Sequence, residues 1–478
     1  MNTETTPRRR RRFRLTNGGR VLLFAVLAAA IFFGYIGFRL WQAGNRLRET
    51  TEEISRNEPG WQLADLEAKR ITPPDDENAA LVIVKIKEQM PEGWPSNQLS
   101  NATESPALNE KLDPGKATLL ANEMEKIAAI TALARKLNDL PKGRFPHEWS
   151  GADWLPSAPL NHLQLPRWAT VVLYHSSIDC IQRGQLDIAL ENCAGMLNAG
   201  SSLSKDPSST AVLVRNACAQ SAVSVLERIF AQGTPADAAL QSLQKRIERE
   251  ASEPVLLDLL IGERALLHQC LQDARDKKFV NNQLPRDIYS LRSHEFQLAM
   301  WTEAVTIARS GPDAAYVPLT AYFSAIAGGD GIPGGNRRSL KDVDEATEVL
   351  LGLSIPANLK ILESVTYTRA RLRCAEAAIA AERFRRVENK WPEKPEQLVP
   401  TYLSEWPKDP FDGKPMRYRR LDSGRLVIYS IGPDGIDDGG RLNRKDMRAK
   451  NSDGGIELFP VAERGRPFAP KKEAPKER

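Results

Sequence analysis

The sequence predicts a mainly α-helical protein. It should have a single N-terminal transmembrane helix, an extracytoplasmic irregular α-helical array and a small α+β module at the C-terminus. Three observations carry this reading. Eighteen uncharged residues, Val21 to Phe38, lie between Arg20 and Arg39. Apolar residues recur at helical spacing from Pro114 to about Ala380. Beyond them, short alternating runs are separated by clusters of Asp, Gly and Pro, as paired strands require.

The boundaries follow from those patterns: a basic tail 1–20, an anchor 21–38, a juxtamembrane helix and linker 39–113, a helical domain 114–365, an α+β module 366–462 and a disordered tail 463–478. At 1.5 Å per residue the anchor spans roughly 27 Å, enough for a bilayer core of about 30 Å. The first twenty residues hold seven Arg and one Glu. Positive charge beside the first apolar helix keeps that end in the cytoplasm. The chain is therefore expected in the cytoplasmic membrane as a single-pass protein, with its bulk in the periplasm. A cleaved signal would need a small-x-small site, but Arg39-Leu40-Trp41-Gln42 follows the apolar run. A lipoprotein anchor would need a cysteine just after that run, and there is none. An uncleaved signal anchor fits best.

With the tail removed, 59 basic side chains face 60 acidic ones, so the overall charge of +5 belongs to the topogenic segment. That excludes nucleic acid as an expected partner, because the folded part carries no basic excess. Membrane lipid, through residues 21–38, and other proteins are the expected partners.

Residues 42 to 56 are polar and free of proline, and should extend the anchor helix into solvent. Asp75 or Asp76 can cap a helix from Asn78 to Met90. A long helix is expected over Leu119 to Leu137, followed by an ordered aromatic loop from Arg144 to Pro166. Further helices are expected over 168–183, 186–203, 209–232, 235–250, 254–275, 293–309 and 343–353. The junction Arg183-Gly184-Gln185-Leu186-Asp187-Ile188-Ala189-Leu190 resembles the turn of a tetratricopeptide repeat, with glycine for the turn and Ala189 for close helix approach.

Motifs for catalysis are absent: no GxSxG, HExxH or P-loop occurs. Cys180, Cys193, Cys218, Cys270 and Cys374 show no CxxC spacing, and either small apolar packing residues or one or two disulfides would suit them. The glycine-rich stretch Gly328 to Arg338 reads as a linker. Glu and Asp elsewhere fall along helix faces as a solvated surface would place them.

The C-terminus is more specific. A helix from Thr368 to Lys390 leads to Trp391-Pro392 and Glu396-Gln397-Leu398. A proline-braced crossing, Trp406-Pro407-Lys408-Asp409-Pro410-Phe411-Asp412-Gly413, comes next. Strands at Met416 to Arg420 and Arg425 to Tyr429 then flank Asp422-Ser423-Gly424, and a last strand covers Ile456 to Phe459. With Ile428-Tyr429-Ser430-Ile431-Gly432-Pro433-Asp434-Gly435, this order resembles the C-terminal domain of the major pseudopilin of type II secretion systems, over roughly residues 370 to 460. The resemblance implies a Ca2+ site after the last motif, making Asp434, Asp437 and Asp438 the candidate metal ligands. Their oxygen-only chemistry suits a hard cation. The sequence departs from the family at its start, where Gly19 is followed by Arg20 and the next positions hold no glutamate, and where more than 300 mostly helical residues separate anchor from module.

The expected function is a non-catalytic envelope protein that binds or scaffolds other proteins, linked to secretion. The competing expectation is a membrane-anchored hydrolase whose site is assembled from residues distant in sequence.

Overall fold

The computed structural model describes residues 17–103, 107–155, 158–276, 290–328, 345–443 and 451–469. The first sixteen residues of the basic tail, Gly329 to Arg338 and the chain from residue 470 lie outside these, so the expectations for them do too. Among the described residues the regular structure is mainly helical, with fourteen α-helices and one three-stranded sheet.

Helix α1 (Asn17–Asn57) contains the apolar run, which is exposed among the described residues. Phe24, Ile31 and Phe33 are 77%, 72% and 68% exposed. It is long and apolar enough to cross a membrane, as an anchor or a signal sequence would be. Its polar half does not run into solvent as expected. Ala43, Leu47, Thr50 and Ile54 form a buried stripe against α12 (Leu291–Ala308), where Leu298 packs and Thr50 Oγ1 donates to Glu295 at 3.3 Å. The spacing of four, three and four residues keeps one face inward despite the charges between.

Helix α2 (Leu63–Lys69) leads to α3 (Ala79–Gln89) and the short α4 (Asn97–Thr103). The cap of α3 is Asn78 rather than Asp75 or Asp76: its side chain accepts from the Ala80 amide at 3.0 Å and also ties down Arg144. The expected long helix breaks at Ile127 into α5 (Pro114–Lys126) and α6 (Ala128–Arg135). Helices α7 (Leu165–Gln182), α8 (Leu186–Ser201) and α9 (Ser209–Gln232) then pack in succession. Gly184, at φ +77°, makes the tight turn between the first two. Next come α10 (Asp237–Ser252), α11 (Val255–Arg275), α12 and α13 (Tyr316–Ala327).

Helix α14 (Glu345–Glu388) joins what read as two helices, passing through Pro356. Proline removes one backbone bond, but Leu351, Ile355, Leu362 and Val365 around it are buried against α11 to α13, and that packing keeps the helix continuous. Its second half buries Cys374, Ala377, Ala378 and Ala381. The sheet runs β1 (Arg417–Arg420), β2 (Leu426–Ser430), β3 (Gly454–Leu458), antiparallel throughout and within two residues of the expected strand positions. β2 is buried along its whole length. One buried cluster extends from Leu63 to Leu458, so α14 carries array and sheet on the same rod. The tail expected to be disordered from residue 463 is ordered at its start: Arg464 closes the seam with two bonds of 2.8 Å to the buried Glu382, and the Gly465 and Arg466 amides donate to the Ala231 and Asn109 carbonyls.

Acidic residues along the helices are not all solvated. Glu250 and Glu382 on helices, and Asp409 in the loop before β1, are buried with arginine partners. All five cysteines are free and buried, so they act as apolar packing residues.

Candidate functional site

Two features outside the core concentrate charge. The first is the acidic loop after β2. Asp434 Oδ1 accepts the Ile436 amide at 3.1 Å, and so closes its own turn. Asp437 Oδ1 accepts the Gly439 amide at 2.9 Å and the Tyr429 hydroxyl at 3.1 Å. Gly439 and Gly440, at φ +71° and +79°, bend the chain back so that Asp438 and Gly440 donate their amides to the two oxygens of Asp453. Burial, aided by the charges of Asp437 and Asp438, raises the Asp453 pKa. Asp438 Oδ2 is buried without a hydrogen-bond partner. The structure thus gathers Asp437 and Asp438 around a carboxylate the sequence reading missed, Asp453, and leaves Asp434 in a local turn. Among the described residues no three such groups are close enough to hold a metal ion as they stand. An oxygen-only set with one orphaned carboxylate oxygen suits a hard cation in chemistry.

The second feature is a cleft of about 550 Å³. Its walls come from six separate stretches: Leu66 to Ile71, Pro141 to Arg144, the turn after α8, Arg215 of α9, the C-terminal end of α10, and the first half of α11. Eight Lys and Arg line it against three acidic residues, which makes it electropositive. Arg70 and Arg144 are held by Glu67 at 2.8 and 2.9 Å, and Arg70 also pairs with Asp206. Lys205 pairs with Asp258 at 2.6 Å. Lys69, Lys142 and Arg249 are exposed and make no ion pair among the described residues, although Lys69 Nζ donates to the Gly60 carbonyl at 3.0 Å. Ile71, 77% exposed, adds an apolar contact on the same rim.

Beneath the cleft lies a buried ionic triad. Glu250 Oε1 accepts Arg215 Nε at 2.7 Å, and Oε2 accepts Arg246 Nη1 at 3.1 Å and Ser201 Oγ at 3.2 Å. Arg246 also donates to Asn198 Oδ1 and Ser201 Oγ, both at 2.6 Å. Burial acts to raise the Glu250 pKa, but Arg215 and Arg246 together outweigh it and hold the carboxyl at about 2. The triad is a rigid charged floor on which α8, α9 and α10 meet. Only the Arg246–Glu250 spacing on one helix could have signalled it; Arg215 and Ser201 arrive through tertiary structure.

Near one wall, His147 Nε2 stands 3.3 Å from Asp153 Oδ2, and its ring stacks on His162 at 4.4 Å. Trp149 Nε1 donates to Asp206 Oδ1 at 3.2 Å. Burial, with the charge of His147, lowers the His162 pKa to about 4; burial raises that of Asp206 to about 6 despite Arg70. Ser150 Oγ bonds Asp153 rather than a histidine, so its hydroxyl is not placed for activation by His147. Burial raises the pKa of every cysteine thiol, which leaves none poised as a nucleophile. Compared with family models, curated proteins and solved structures, the chain finds no match in any of the three.

Proposed function

We propose that the chain is a single-pass protein of the cytoplasmic membrane, N-terminus inside, whose periplasmic bulk is a non-catalytic receptor or scaffold. On this reading the basic cleft takes an acidic segment of a partner protein. The observation that carries it is the rim formed by Lys69, Lys142 and Arg249, three unpaired cations over a pre-formed floor, beside the exposed Ile71. Unpaired charges around a concave surface steer and orient an oppositely charged partner, and the triad holds the floor without spending those charges. The α+β module would bind Ca2+ through Asp437, Asp438 and Asp453, with Asp434 at the edge, and its likeness to a pseudopilin domain supports a link to secretion.

The test is direct binding. A fluorescent peptide alternating Glu with Leu should bind the full-length protein in detergent, and a Lys-Leu peptide should not. Changing Lys142 and Arg249 together to Glu should weaken binding at least tenfold and flatten its salt dependence. Equal binding of both peptides, or indifference to the double change, would sink the cleft reading. A hydrolase is the second reading, favoured by the His147–Asp153 contact alone. It would require an activity lost in His147→Gln.

A further inference from the structure

A second cavity, of about 140 Å³, lies where the array meets the sheet, and shares no lining residue with the cleft. Tyr174 of α7, Arg228 of α9, Tyr367 and Arg371 of α14, Asp453 just before β3 and Gly455 within it surround it. That volume is roughly ten times the 10–15 Å³ that one water requires. Arg228 is only 5% exposed, yet its Nε and Nη2 have no hydrogen-bond partner. Arg371 is equally buried; its Nη1 donates to the Gly455 carbonyl, and its Nε has no partner. The two carboxylates at the cavity are engaged elsewhere. Glu227 Oε1 accepts the Glu457 amide at 3.2 Å, and Asp453 accepts the two loop amides. Arg228 makes no ion pair among the described residues, and burial pulls its pKa down.

A buried guanidinium without an anion is costly, and folds seldom retain one. Nε and Nη2 form one flat edge of the guanidinium, with two parallel N–H groups that match two oxygens of a carboxylate or phosphate. We infer that this cavity is a binding site for a small oxyanion, gripped by the Nε–Nη2 edge of Arg228 with Arg371 Nε as a third donor. The enclosing tyrosines limit the ligand to the size of phosphate or a short carboxylate. Because α7, α9, α14 and β3 all contribute, the anion would pin the module to the array. This inference does not depend on the cleft or on its partner.

The experiment is thermal unfolding of the full-length protein in detergent at fixed ionic strength, with inorganic phosphate, succinate or chloride. Phosphate, succinate or both should raise Tm saturably by about 2–4 °C over chloride. A shift in one arm only identifies the oxyanion as tetrahedral or planar. Arg228→Met should abolish the shift and, without anion, melt no lower than the parent, since it removes an unpaired buried charge. Arg228→Lys, which keeps the charge but not the fork, should weaken apparent affinity at least tenfold. Lys142→Glu, in the cleft, should leave the shift intact. No shift with either oxyanion, full retention in Arg228→Met, or loss in Lys142→Glu would each overturn the assignment.

Discussion

Glu250→Gln removes one charge while keeping the side-chain shape, and it probes the floor of the cleft. The parent carboxylate is 4% exposed between Arg215 (7%) and Arg246 (11%). With the charge gone, two buried guanidiniums face each other without an anion, and breaking a buried pair in this way costs about 3–5 kcal/mol. An independent figure comes from the carboxyl itself. Its pKa falls from 4.5 to about 2 on folding, and at about 1.4 kcal/mol per unit that is roughly 3 kcal/mol. Unfolding entropy of about 2.1 cal/mol/K per residue over 478 residues gives about 1 kcal/mol/K, so Tm should drop by about 3 °C at pH 7. The pH dependence has a definite sign. A depressed folded pKa gives stability that is fully present above pH 4.5 and is lost as pH falls toward 2. The gap between parent and Glu250→Gln should therefore close across that window. Differential scanning fluorimetry in detergent at pH 7, 4 and 3 measures it. A variant that melts within 1 °C of the parent at pH 7, or a gap that widens in acid, would refute the account of the triad.

Two further changes test the packing and the loop. Gly262 of α11 lies against Pro207, and an added Cβ would meet the Pro207 Cα at 2.5 Å and its carbonyl oxygen at 2.8 Å; Gly262→Ala should cost about 1–3 kcal/mol by urea denaturation despite alanine's better helix propensity, and a neutral outcome would mean that the α8–α9 turn moves freely. For the acidic loop, millimolar Ca2+ against a micromolar affinity would stabilise by about 4 kcal/mol. Mg2+ should do so poorly, and Asp437→Asn with Asp438→Asn should remove most of the effect; no Ca2+-dependent rise in Tm in the unmodified protein would reduce the loop to a polar turn.

Local features were legible in the sequence. The uncharged run gave the exposed half of α1, Gly184 the α7–α8 turn, and Asp422 to Gly424 the β1–β2 turn, because each depends on neighbours within a few residues. Docking of the polar half of α1 was missed although Ala43, Leu47, Thr50 and Ile54 hold a regular stripe, since the intervening Arg and Glu dominate its composition. The expected helices ended at Leu353 and began again at Thr368, whereas α14 is continuous, because the packing of Leu351 and Leu362 that offsets the local cost of Pro356 is set by distant residues. The cleft drew its cations from five stretches of chain, and Arg228 met Arg371 only through the α9–α14 contact. Neither has a signature at any sequence spacing. Asp453 was missed for the same reason: it reaches the acidic loop across the sheet, thirteen residues after Gly440.

The claim on which the proposed function depends is that the cleft faces away from the cytoplasm. The five native cysteines are buried, so they give little background to a thiol reagent, and Lys142 is exposed on the rim. Lys142→Cys in the full-length protein can be treated with a membrane-impermeant maleimide in spheroplasts, before and after lysis. Full labelling of intact spheroplasts is the result this account predicts. Labelling that appears only after lysis would place the cleft in the cytoplasm and contradict it.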